Sequence, residues 1–172
     1  LLGTDAVFAE DLQALRPQAG QADSAANLRA VLAGSDIVQS HKDDCSLVQD
    51  AYSLRCAPQV ASGLRDTLRH AETVATSELA AAVDNPAVLA DGRVESNGNF
   101  HGAPLAYVLD FLAIPAADLA SVAERRTDRF LDPARNNGLN AFLAEDPGTD
   151  SGLMIAQYTQ AALVSELKRL AV

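Results

Sequence analysis

Apolar residues recur along this chain at helical rather than strand spacing almost from end to end. From Gln59 to Val83 the positions Val60, Leu64, Leu68, Ala71, Ala75, Leu79 and Ala82 advance by threes and fours, which predicts a long amphipathic helix. Asp84-Asn85-Pro86 ends it, because a residue before proline is pushed out of the helical region. A second long helix is predicted from Leu105 to Leu131, with Leu105, Leu109, Leu112, Leu119, Val122 and Phe130 inward. Pro115 inside it should bend it, since an interior proline costs about 3 kcal/mol through a lost hydrogen bond and a clash. A third helix, capped by Asp150 or Ser151, carries no charge from Leu153 to Val164, and a helix apolar on nearly every side must be covered on every side.

Shorter elements precede and separate these. Val7, Phe8, Leu12 and Leu15 predict a helix from Asp5 that Arg16-Pro17 stops. Ala25, Leu28, Val31 and Leu32 predict another over Gln21 to Leu32, with Gly34 as its C-terminal stop. Ile37 to Leu47 is polar and reads as a loop, and Val88, Leu89 and Val94 around Asp91-Gly92 read as a small hairpin. Asp132 to Thr149, rich in Asn, Pro and Gly, is a long irregular connection. The fold class is therefore all-α: a bundle of long, near-antiparallel helices with a polar loop region and at most one small β-hairpin. One helical domain is expected over 1–172, with a helical hairpin and loop in 1–47 and the long-helix bundle in 48–172. Helices of this length run roughly 30 to 40 Å, longer than a compact domain of this size is wide, so the bundle offers long faces to further copies of itself.

Composition narrows the partners. The 172 residues include 23 Asp and Glu against 13 Lys and Arg, a formal net charge of -10, which argues against nucleic acid and anionic membranes. Asp110 and Asp118 interrupt the longest apolar run, so no membrane span is expected. Cys45 and Cys56 are too few for a disulfide framework, and with no signal peptide a reduced, cytoplasmic setting is expected. His41, Cys45 and Cys56 lack the spacing and the fourth ligand of a zinc site, so no metal is expected. The chain opens on Leu1-Leu2 and runs straight into a helical pattern, as a piece of a longer protein would.

The chemistry concentrates in Val48 to Val60. Gln49, Tyr52 and Arg55 recur every third residue, so on one helical turn an amide, a phenol and a guanidinium would point the same way. Arg offers a planar fork of donors that matches a carboxylate, and Tyr and Gln can donate or accept beside it. The plain alternative is a polar helix start in which Arg55 and Asp50 pair with neighbours at the surface. Ser96 to Gly102 tolerates unusual backbone angles and opens a helix near Pro104, with Phe100 either tucked into the core or facing a site and His101 a hydrogen-bonded structural residue. Glu124-Arg125-Arg126 reads as ordinary surface charge.

Val48 to Val60, Asp84-Asn85-Pro86, Ser96 to Gly102, Glu124-Arg125-Arg126 and Asp150 to Gln157 followed by Ala161 to Glu166 together resemble the aromatic amino acid ammonia-lyase family, in its order and near its spacings. Val48-Gln49 and Ser53-Leu54-Arg55-Cys56 are similar to its histidine branch. The resemblance implies elimination of ammonia from L-histidine to give urocanate, and a homotetramer whose long helices form a central bundle with several subunits lining each active site. It implies that Arg55 holds the substrate carboxylate, that Tyr52 hydrogen-bonds near the prosthetic group and the reacting amine, that Gln49 supports that network, and that Phe100 lines the apolar wall. It also implies a subunit contact at Glu124-Arg125-Arg126.

The prosthetic group implied is a methylidene-imidazolone made from an Ala-Ser-Gly, and the resemblance places that triplet ahead of Leu1 and a substrate-side glutamate beyond Val172. Ala61-Ser62-Gly63 falls inside a helical pattern, where the Gly amide and Ala carbonyl are committed to the helical ladder and cannot cyclise, so no cofactor is expected within these residues. Two readings follow: part of an ammonia-lyase whose electrophile lies elsewhere, or a catalytically inactive helical assembly or binding module derived from that fold. The aspartase and fumarase group, also helical, is set aside because its Gly-Ser-Ser loop is absent.

Overall fold

The computed structural model describes residues 2–171. Seven α-helices follow in order: α1 (Glu10–Ala14), α2 (Ala19–Leu32), α3 (Asp36–Gln39), α4 (Tyr52–Arg55), α5 (Ala57–Leu79), α6 (Ala103–Leu131) and α7 (Met154–Leu170). Two short strands, β1 (Ala87–Val88) and β2 (Val94–Glu95), pair antiparallel in the hairpin expected around Asp91-Gly92, with Ala87 opposite Glu95. The architecture is all-α, as the periodicity predicts.

The long helices stand in a row. α5 packs between α2 and α6, and α6 packs on to α7. Neighbours run antiparallel: Ala57 and Ala61 at the start of α5 face Leu119 and Val122 late in α6, and Gln157 early in α7 meets Glu124 late in α6. α2 lies close on α5 because its contact residue is Gly20; a Cβ there would stand 2.8 Å from the Asp66 carboxylate. That carboxylate takes the Gly20 amide at 2.9 Å and the Ser62 hydroxyl at 2.7 Å, so a residue of α5 caps the start of α2, which has no side-chain cap of its own.

Several expectations are corrected. The helix expected from Asp5 is split into a 3₁₀ turn, Ala6–Phe8, and α1, because Ala9 is extended, at φ -55° and ψ 143°, and Phe8 turns into the core. Val31 is 80% exposed, and the buried face of α2 joins the expected Ala25 to Gly20, Gln21 and Ser24, mostly small residues. On α5 the buried positions are Pro58, Ser62, Thr67 and Ala71, while Leu68 and Leu79 are exposed. Small residues let backbones approach, so they take the contact line and displace the larger apolar residues beside them. α3, capped by Ser35, occupies part of the expected loop after Gly34. Asp150 does not cap α7; it accepts from the amides of Gly152 and Glu145, and Leu153 precedes the helix without a side-chain cap. The expectation of one helix spanning Pro115 holds, since α6 continues through it. Despite Asp110 and Asp118, α6 is long and apolar enough to cross a membrane, with a mean hydropathy of 1.6 over 18 residues, though here it packs between two helices.

Candidate functional site

Ala51 is extended, at φ -56° and ψ 146°, and the chain then closes one helical turn, α4, as the amides of Leu54 and Arg55 bond the Ala51 carbonyl. Tyr52 and Arg55 leave this turn together, with the guanidinium 5.9 Å from the ring centroid. Arg55 is half-buried and its Nε donates to the Asp50 carbonyl at 3.0 Å; the Asp50 carboxylate is engaged elsewhere, taking the Thr4 amide at 2.7 Å. Arg55 thus bonds the Asp50 backbone and forms no ion pair with its side chain. Tyr52 is 65% exposed.

Gln49 does not join them on one face. The extended backbone at Ala51 breaks the helical register between positions 49 and 52, so spacing by three no longer means a shared side. Gln49 borders a hollow with His41, Lys42 and Cys45. Tyr52 borders a separate open cleft of about 380 Å³ with Asp118, Ser121, Arg125, Arg129 and Arg135. No local signal in the sequence marks these residues, four on α6 and Arg135 just after it, as neighbours of Tyr52; α4 packing on α6 brings them there. Phe100 is 61% exposed and sits beyond the hairpin, just ahead of α6. α5 runs about 35 Å at 1.5 Å per residue over its 23 residues, and α6, which starts just after Phe100, reaches the Tyr52 cleft only at Asp118, so one chain does not place Phe100 and Tyr52 in the same pocket.

Glu124-Arg125-Arg126 is not plain surface charge. Glu124 is buried, and its carboxylate accepts from Arg125 Nη2 at 2.7 Å and from Gln157 Nε2 at 2.8 Å, which ties α6 to α7. Hydrogen bonding from Arg125 holds the Glu124 carboxyl below its ordinary range, with burial opposing and Gln157 assisting. Asp66 is lowered too, first by the Ser62 hydroxyl. Cys45 and Cys56 are free thiols, and among the described residues no three His, Cys, Asp or Glu side chains gather to hold a metal. Ala61-Ser62-Gly63 lies within α5, with Ser62 buried and hydrogen-bonded to Asp66. That triplet does not fit a cyclised prosthetic group.

The family pattern of aromatic amino acid lyases matches residues 1–172. The chain is 72% identical, over its whole length, to a histidine ammonia-lyase of Streptomyces avermitilis, of which it covers 34%. Among solved structures, the histidine ammonia-lyase of Trypanosoma cruzi is 41% identical over 96% of this chain and 30% of that one, with a TM-score of 0.82. A tyrosine aminomutase of Streptomyces globisporus is 36% identical over 97% of this chain and 35% of that one, with a TM-score of 0.85. The chain spans about a third of the length of the curated relatives it matches. With its helices in that arrangement and the match running from its first residue to its last, the chain belongs to the aromatic amino acid lyase family.

Proposed function

We propose that the complete protein containing this chain eliminates ammonia from L-histidine to give urocanate, and that the Tyr52–Arg55 turn carries part of its substrate site. The observation behind this reading is a phenol and a guanidinium leaving one braced turn side by side. The 72% identity to a histidine ammonia-lyase supports it. In the reaction the Cα–N bond breaks with its electron pair leaving on ammonia, a β-proton is lost to a base, and a Cα=Cβ bond forms. The family's methylidene-imidazolone, built from a triplet outside these residues, supplies the electrophile that makes this β-proton removable.

The residues of this chain bind and orient. Arg55 holds the substrate carboxylate through the guanidinium edge that Asp50 leaves free, which fixes the reacting carbons. Tyr52 donates or accepts a hydrogen bond beside the amine. Gln49, on the other side of the same loop, is a supporting amide. Phe100 supplies apolar wall to a site completed by another copy, because within one chain it stands a helix length away. Oligomeric assembly through α6 and α7 is part of the reading: Tyr107, Phe111 and Ile114 on α6 and Ile155, Tyr158 and Leu163 on α7 are all exposed in the single chain.

The test is turnover by the complete protein with L-histidine, L-tyrosine and L-phenylalanine in parallel. Urocanate from L-histidine, and ammonia released in equal amount, is the expected result. A β-amino acid product, or preference for L-tyrosine, would overturn the assignment. The 172-residue chain alone should give no urocanate, since its one Ala-Ser-Gly is helical.

A further inference from the structure

A second cavity, distinct from the cleft that Tyr52 borders, lies where α2, α4 and the end of α6 meet. It measures about 270 Å³, room for one small molecule. Its wall is mostly apolar, formed by Phe8, Leu28, Leu32 and Leu54 among others. Two opposite charges stand on that wall, Asp50 and Arg126. Asp50 is buried; its Oδ2 accepts the Thr4 amide at 2.7 Å, and among the described residues its Oδ1 accepts nothing. Arg126 is half-buried and, among the described residues, takes part in no ion pair, unlike Arg125 next to it. Arg126 also borders a shallower hollow, but the other ionisable group there is Arg65, so Asp50 is the opposite charge it shares a cavity with.

A carboxylate with one oxygen unengaged and a guanidinium outside any ion pair among the described residues thus line one mostly apolar cavity, where each is available to a ligand of the opposite charge. One ligand class answers both while using the wall: a zwitterion, its ammonium on Asp50, its carboxylate on Arg126 and an aliphatic side chain against the leucines. We propose that this cavity binds a free aliphatic α-amino acid, and that the substrate turn reads its occupancy. The link is short. Leu54, on the wall, directly precedes Arg55, and the Asp50 carbonyl accepts Arg55 Nε at 3.0 Å. A ligand that draws on the Asp50 carboxylate therefore moves the brace that aims Arg55. The effect on turnover rests on the function proposed above; the binding does not.

The test is calorimetric titration of the complete protein with L-leucine, alongside histidine kinetics at several leucine concentrations. Wild type is expected to give saturable heat and at least a twofold change in the KM for L-histidine. Arg126→Met should weaken leucine binding at least tenfold, while Arg55→Lys should change it by no more than the roughly twofold coupling expected in the KM for L-histidine. N-acetyl-L-leucine keeps the carboxylate and side chain but has no ammonium for Asp50, so it should not bind wild type, a result that depends on no variant folding. Absence of leucine heat overturns the proposal, as does equal binding of the acetylated compound or loss of leucine binding in Arg55→Lys, which would place leucine in the substrate site. Leucine binding without histidine turnover would remove only the function proposed above, and histidine turnover without leucine binding only this one.

Discussion

Replacing Arg55 by lysine keeps the charge and removes the fork. In the structure the guanidinium gives Nε to the Asp50 carbonyl at 3.0 Å and keeps its two terminal nitrogens for a carboxylate. An ammonium cannot do both, so it either releases Asp50 or meets the substrate through one bond instead of two parallel ones. A hydrogen bond to a charged partner contributes about 1.5 to 3 kcal/mol. The contact with the exposed Tyr52 ring adds at most about 1 kcal/mol and does not decide the outcome. A carboxylate held by one bond still binds, but its reacting carbons swing, and lost alignment acts on the chemical step. We expect Arg55→Lys in the complete enzyme to lose at least tenfold in kcat/KM for L-histidine, about 1.4 kcal/mol, with much of the loss in kcat. The assay is steady-state urocanate formation with a melting curve on the same preparation. If Arg55 were only a surface residue, lysine would change stability by about 0 to 1 kcal/mol and leave kinetics alone. Wild-type kinetics in Arg55→Lys would refute the carboxylate role.

Other variants of the complete protein probe the frame around that turn. Glu124→Ala strips the acceptor from Gln157 and the partner from Arg125, so denaturant unfolding should show a loss of about 2 kcal/mol. Because Glu124 lies below its ordinary value of 4.5 in the fold, its stabilisation is full above that value and is lost as pH falls through the depressed one; melting curves across that acid range should be flatter in Glu124→Gln than in wild type. Gly152→Ala drives a Cβ into the Phe142 carbonyl at a φ of +49°, and should lower the melting temperature more than Ser151→Ala beside it. Ser62→Ala should cost about 1 kcal/mol through the lost bond to Asp66 and leave the proposed histidine turnover of the complete protein intact; loss of turnover with the fold retained would reopen Ala61-Ser62-Gly63 as a source of the proposed prosthetic group.

The three long helices, the hairpin and the breaks between them were legible in the chain because each depends on short-range physics. Periods of three and four, proline before a boundary and Gly34 at φ +70° after a helix act within a few residues. The motif residues of the family were legible for a different reason, as matching strings in matching order. Which side of each helix is inside was not. Large apolar residues suggested Val31 and Leu68, but close approach of α2 and α5 requires Gly20, Ser24 and Ser62 at the contact, and this depends on a partner helix more than forty residues away in sequence. Gln49, Tyr52 and Arg55 share a spacing, yet one extended residue at Ala51 turns Gln49 away, a backbone choice that no side-chain pattern encodes. Glu124 looked like surface charge until α7 placed Gln157 over it. The distance between Tyr52 and Phe100 is likewise a property of α5 as a rod: the sequence predicts the rod and names both residues, and only its packing between α2 and α6 sets them at opposite ends of the bundle.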